Sequence, residues 1–124
     1  MRSPTPADQL YIHFVTFSCY KRRRIFEFDD ANRIALGSLN ARLKEFSAIC
    51  SGFVLMPDHV HCMLWFPVPG QLSRFLREWK RTSSFAIKER MRTRGWNYRS
   101  FIATDDPIWQ ANFYSSSHGF SSAL

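Results

Sequence analysis

His59 and His61, two residues apart, are the side chains of this sequence whose type and spacing could do chemistry. They stand in Met56-Pro57-Asp58-His59-Val60-His61-Cys62-Met63-Leu64, an apolar run that begins at a Pro-Asp turn. Along a strand, side chains alternate between faces, so both imidazoles project from one side, with Cα atoms roughly 7 Å apart. Two imidazoles so placed can grip one divalent ion if further ligands arrive from elsewhere. A single histidine on a strand is usually structural, and on spacing alone packing and metal binding both stay open for this pair. Cys62 falls on the opposite face and is not expected to be a ligand. Asp58 is expected as a turn former or as an acceptor behind the histidines. A structural zinc site would need two more ligands, with His13 or His118 brought close.

The elements that must position this pair can be read on either side of it. Residues 1–9 are polar and Pro-containing, a loose leader. Tyr11 to Cys19, YIHFVTFSC, is rich in β-branched and aromatic residues and predicts a strand, followed by a basic turn from Tyr20 to Phe28. Asp29 or Asp30 can cap a helix, and Leu36, Leu39, Leu43 and Phe46 then recur at helical spacing to about Ser47. Ile49 to Met56 and His59 to Phe66 flank Pro57-Asp58 and predict a β-hairpin.

Gln71 to about Arg94 predicts the clearest helix, with Leu72, Phe75, Leu76, Trp79, Ser83, Ala86 and Ile87 on its buried stripe and Gly95 as its stop. A last strand is placed around Ile108-Trp109-Gln110. The order β-α-β-β-α-β predicts an α+β fold, a ferredoxin-like sandwich with a central antiparallel sheet and two main helices on one face. One domain spans residues 10–114, and residues 115–124, SSSHGFSSAL, read as an atypical Ser-rich tail without periodicity.

Charge and composition narrow the class. The 124 residues include 17 Lys+Arg and 10 Asp+Glu, a net charge of +7, and 12 Phe, enough apolar material for one core. Between Gln71 and Arg99 nine basic and two acidic residues give a local excess equal to that total, and Lys21-Arg22-Arg23-Arg24 forms a second cluster. A charge run is often only a solvated face, but two runs flanking a candidate metal site favour a polyanion, usually nucleic acid. Arg22, Arg23, Arg24, Lys80 and Arg81 are candidate phosphate contacts. Trp109 is a candidate base-stacking residue, although a core position is the favoured reading. Three scattered cysteines without a C-x-x-C pair predict reduced thiols. No apolar run is long enough to span a membrane and the N-terminus is not expected to be a signal peptide, so a cytoplasmic protein is expected.

Several segments together resemble the REP-associated tyrosine transposase family of HUH-type single-stranded-DNA transposases. YIHFVTFSCYKRRRIF resembles its first strand and basic loop, VLMPDHVHCMLWFP its HUH hairpin, LSRFLREWKRTSSFAI its long basic helix, and IWQANFY the segment after it. The resemblance covers about residues 10–114 in order. It implies that His59 and His61 bind a divalent ion, Mg2+ or Mn2+, that polarises a phosphate of single-stranded or hairpin DNA. A tyrosine on a later helix then attacks, leaving a 5′-phosphotyrosine and a free 3′-OH.

Where the family carries an Asp-His pair and then the helix with its nucleophile, this sequence has Ser115 and Ser116 and ends soon after. A frameshift or truncation and impaired catalysis are therefore expected. Of the tyrosines, Tyr114 alone stands near the entry to that region, although it matches a residue ahead of the nucleophile. The resemblance also admits a homodimer. The alternatives are a catalytically inactive DNA-binding remnant or regulator, and an RNA-binding ferredoxin-like module, which should show aromatics on an exposed sheet face and no metal dependence.

Overall fold

A computed structural model of the chain describes residues 11–94 and 106–119. Tyr98 and Gly95 lie outside these residues. The strands are β1 (Tyr11–Ser18), β2 (Ile49–Met56), β3 (His59–Trp65) and β4 (Tyr114–Gly119), and the helices are α1 (Asp29–Phe46) and α2 (Leu72–Arg94). The sheet order is β2-β3-β1-β4, with every neighbouring pair antiparallel. This is the ferredoxin-like α+β arrangement expected from the element order.

Alternation divides the sheet into two faces. Val15 and Phe17 of β1 and Val60, Cys62 and Leu64 of β3 are buried under the helices. They meet Phe75, Leu76, Trp79, Ile87 and Met91 of α2, and Ala31, Ala35, Leu39 and Phe46 of α1. Trp79 is the centre of this packing: its ring meets Phe17 edge-on with centroids 5.2 Å apart, and its Nε1–H donates to the Ala35 carbonyl at 3.0 Å. One indole thus ties α2 to both the sheet and α1. His59 and His61 point to the other face, away from the helices.

Three local expectations are corrected. Leu36 is exposed, and the small Ala31 and Ala35 take the buried side of α1 instead, because the two helices approach closely there. No side chain caps α1; Asp29 pairs with Arg33 and Asp30 with Arg90, placing both carboxylates in the first turn, where the helix dipole favours them. The last strand is not at Ile108, where only Cys19 and Trp109 form a single bridge, but at Tyr114–Gly119. The Ser-rich segment therefore enters the sheet, through backbone pairing with β1 that needs no alternating apolar pattern.

Candidate metal and nucleic-acid site

The hairpin turn delivers the histidines to the open face at the start of β3. Their Nε2 atoms lie 3.1 Å apart, with the rings nearly perpendicular. Each opposite ring nitrogen has its own partner: His59 Nδ1 is 2.8 Å from Asp58 Oδ1, and His61 Nδ1 is 2.8 Å from Thr16 Oγ1. A carboxylate only accepts, so His59 donates from Nδ1, and in the neutral imidazole this leaves the lone pair on Nε2. The Thr16 hydroxyl can accept from His61 in the same way, which turns the second Nε2 lone pair toward the first. Two lone pairs at this separation repel unless a cation lies between them. Two nitrogens bound side by side to one ion at about 2.1 Å would themselves lie roughly 3 Å apart, so the donor pair fits a divalent metal. Among the described residues no group of three or more His, Cys, Asp or Glu side chains converges.

The zinc alternative does not assemble around His13. That residue pairs with Leu64, lies on the helix-covered face and packs beside Phe66, where burial lowers its pKa. His118 pairs with Ile12, four residues along β1 from the Thr16 position opposite His61, or roughly 13 Å.

Asp58 also reaches backwards. Its Oδ2 accepts from Arg22 Nε at 2.9 Å, and Arg22 Nη1 donates to Ser18 Oγ at 3.3 Å. The His59 hydrogen bond, then the Arg22 guanidinium, hold the Asp58 carboxyl below the usual carboxylate range. Lys21 and Arg22 both have a φ of 55°, a left-handed conformation that costs a non-glycine residue roughly 1 kcal/mol or more. Backbone bonds from Cys19 N to the Asp58 carbonyl (2.9 Å) and from Phe26 N to the Pro57 carbonyl (3.0 Å) fasten the basic turn to the hairpin. The exposed Arg22 is thereby held next to the histidines.

The other candidate residues do not gather there. Arg24 is exposed and pairs with Glu27, whereas Arg23 is largely covered, bound to Asp106 at 2.8 Å with its guanidinium over Tyr20. Arg81 is exposed on α2, paired with Glu78, in the helical layer behind the sheet. Lys80 is bound to its own chain: its ammonium donates to the Gln110 carbonyl at 2.9 Å, faces those of Ala111 and Asn112 at 3.4 Å, and lies over Phe17. Burial pushes its pKa down to about 8. Trp109 is 4% exposed, stacked on Phe26, with its Nε1–H donated to Ser83 Oγ at 2.9 Å. Its core alternative is the one realised, and no base can stack on it. The backbone of Tyr114 pairs with Thr16, which pairs in turn with His61, so Tyr114 stands in the same cross-strand row two strands from β3.

Sequence reading named the histidines and Asp58 but missed Thr16 as a partner. Only the pairing of β1 with β3 brings Thr16 and His61 together, and a threonine in an apolar strand gives no local signal of that.

The IS200-like transposase family matches residues 6–124. No curated protein matches the sequence. Among solved structures, a REP-associated tyrosine transposase bound to a REP hairpin is similar at 16% identity and a TM-score of 0.62, over 95% of this chain and 60% of that one. A structure assigned as a transposase from Deinococcus radiodurans R1 is similar at 11% identity and a TM-score of 0.69, over 99% of this chain and 90% of that one. At these identities the structural likeness speaks for the fold. With the family match spanning almost the whole sequence, and with the paired histidines held on the open face of a ferredoxin-like sheet, this chain belongs to the IS200-like transposase family.

Proposed function

We propose that the chain acts on single-stranded or hairpin DNA, with His59 and His61 holding Mg2+ or Mn2+ against a backbone phosphate. The observation that carries this reading is the 3.1 Å approach of two Nε2 atoms, each turned inward by a partner on Nδ1. Bound there, the ion would supply Lewis-acid polarisation of a phosphate oxygen. Asp58 sets the tautomer of His59 that leaves Nε2 free to ligate, and Thr16, whose hydroxyl can accept from His61 Nδ1, fixes the plane of the second ring. Arg22 holds Asp58 through Nε and presents the rest of its exposed guanidinium to the strand that carries the phosphate. Arg24 and Arg81 add charge that draws the polyanion in.

The chemistry in this reading is attack by a tyrosine hydroxyl. Its oxygen bonds to phosphorus, the bond to the 3′ oxygen breaks, and the product is a 5′-phosphotyrosine with a free 3′-OH. Tyr114 is the candidate in this chain because it shares a cross-strand row with His61.

The test incubates labelled hairpin DNA carrying unpaired flanks with the protein and Mn2+, then resolves the products on a denaturing gel beside a gel shift. The expected result is metal-dependent binding that His59→Ala and His61→Ala both weaken. A covalent protein–DNA band lost in those variants and in Tyr114→Phe establishes the tyrosine. Binding without that band marks a DNA-binding role without chemistry. Equal competition by RNA of the same sequence, without need of metal, overturns the reading in favour of an RNA-binding module.

A further inference from the structure

The open face of the sheet is not a polar surface. Phe14 is 41% exposed and flanks the row that carries His61 and Thr16, and Val54, 51% exposed, stands in that row. Phe14 is two residues from Thr16 on the same face of β1 and pairs directly with Met63; Val54 pairs directly with His61. These side chains line a shallow groove of about 240 Å³ whose polar end is His61 and Thr16. Gly52 lies beside Met63 in this groove, and a Cβ there would meet the Met63 terminal methyl, so the absent side chain leaves Met63 its place in the wall.

An apolar, partly aromatic groove that ends at a phosphate-polarising pair has a particular chemistry. A nucleotide whose phosphate sits at the histidines has its base tethered within a few ångströms, and an unpaired base offers a flat π-face that cannot be left in water without loss. A thioether, a branched aliphatic side chain and a phenyl ring form a surface for such a face, and stacking of this kind accepts any base. We infer that this groove is a nucleobase subsite. It takes one unpaired base adjacent to the phosphate held at His59 and His61, with Phe14 as its stacking residue and Met63 and Val54 as its walls. Continuity with the histidine pair selects this occupant, since His61 and its partner Thr16 line the groove as well. The inference rests on the DNA reading above and adds to it a position: one flanking nucleotide is bound by its base, the rest by their phosphates.

The experiment is a coupling cycle between protein and DNA. Binding of a fluorescent hairpin with unpaired flanks is measured by anisotropy in Mn2+, with a set of otherwise identical strands carrying one abasic site at successive flanking positions. Unchanged protein should lose about tenfold or more in affinity at one position and little at the others. Phe14→Ala should lose a similar factor on intact DNA and nothing further on the sensitive abasic strand, and Phe14→Tyr should restore binding to the intact strand. Independent losses from Phe14→Ala and the abasic site overturn the subsite while leaving DNA binding standing. Phe14→Ala that lowers thermal stability without changing affinity also overturns it, and assigns the groove to packing against protein. Absence of DNA binding by the unchanged chain overturns both readings together.

Discussion

Thr16 Oγ1 lies 2.8 Å from His61 Nδ1, and the two residues are directly paired across the β1–β3 ladder. Ladder register therefore fixes the direction of an imidazole. A slip of one residue would turn the hydroxyl to the helix-covered face and leave His61 free to rotate. Groups that orient metal-binding histidines in this way typically contribute a factor of about 10 to 100 in metal affinity. Thr16→Val keeps the branched shape a strand prefers and removes only the hydroxyl. The expected outcome is Mn2+ affinity weakened about tenfold with thermal stability nearly unchanged, read by isothermal titration beside a melting curve. An unaltered affinity would show that Thr16 does not orient the ligand.

Ser83 is a hinge of polar contacts inside the core. It is fully buried, donates to the Trp79 carbonyl at 2.7 Å and accepts from Trp109 Nε1 at 2.9 Å. Ser83→Ala strands the indole N–H without an acceptor, which costs about 1–3 kcal/mol. Urea denaturation should show a loss in that range, and the double variant Ser83→Ala with Trp109→Phe should recover part of it. No loss in the single variant would count against the assignment.

Lys80 holds the segment leading into β4. Its ammonium faces three successive carbonyls, from Gln110 to Asn112, and lies over the rings of Phe17 and Phe113, 4.9 and 5.8 Å from their centroids. Lys80→Met keeps the apolar stem and deletes the donors. Because these carbonyls border solvent and water can replace the lysine, the expected destabilisation is modest, about 1–2 kcal/mol. Hydrogen exchange should speed up first in β4, whose pairing with β1 depends on this lead-in. Equal acceleration across all strands would contradict a local clasp.

The cysteines give a pH signature. Burial pushes the thiols of Cys19 and Cys62 up to about 12. In the unfolded chain a thiol titrates near 8.5, so between roughly that pH and 12 the unfolded chain gives up protons that the folded chain keeps. Stability from these two groups is complete below about pH 8.5 and falls as pH rises through that window. Iodoacetamide at pH 8 should label the half-buried Cys50 first and spare Cys19 and Cys62 until denaturant is added. Rapid labelling of Cys62 in the native protein would refute its burial beneath the helices.

Much of the fold and part of the site were legible from local pattern. Two-residue alternation in β3 put His59 and His61 on one face and Cys62 on the other, and helical spacing in α2 named Phe75, Leu76, Trp79, Ser83 and Ile87 as buried. These readings succeed because a strand or helix repeats its geometry at every residue, so sequence spacing converts directly into direction. Leu36 misled because the same period serves an exposed apolar residue, and the contact between helices chose the smaller Ala35. The basic cluster was legible as charge but not as geometry. Arg22 faces the site, Arg23 is tied to Asp106, and Lys80 is consumed by backbone carbonyls.

By itself the sequence determined the element order, the faces of β3 and α2, the histidine pair and the family whose segments it resembles. Tertiary structure alone decided that Thr16 meets His61, that Arg22 meets Asp58, that Trp109 is core, and that a serine-rich segment becomes β4 on the free edge of β1. The physical reason is range. Periodicity acts within a few residues, whereas ladder pairing and ion pairing join residues far apart in the chain, and a strand recruited by backbone hydrogen bonds carries no side-chain pattern to announce it.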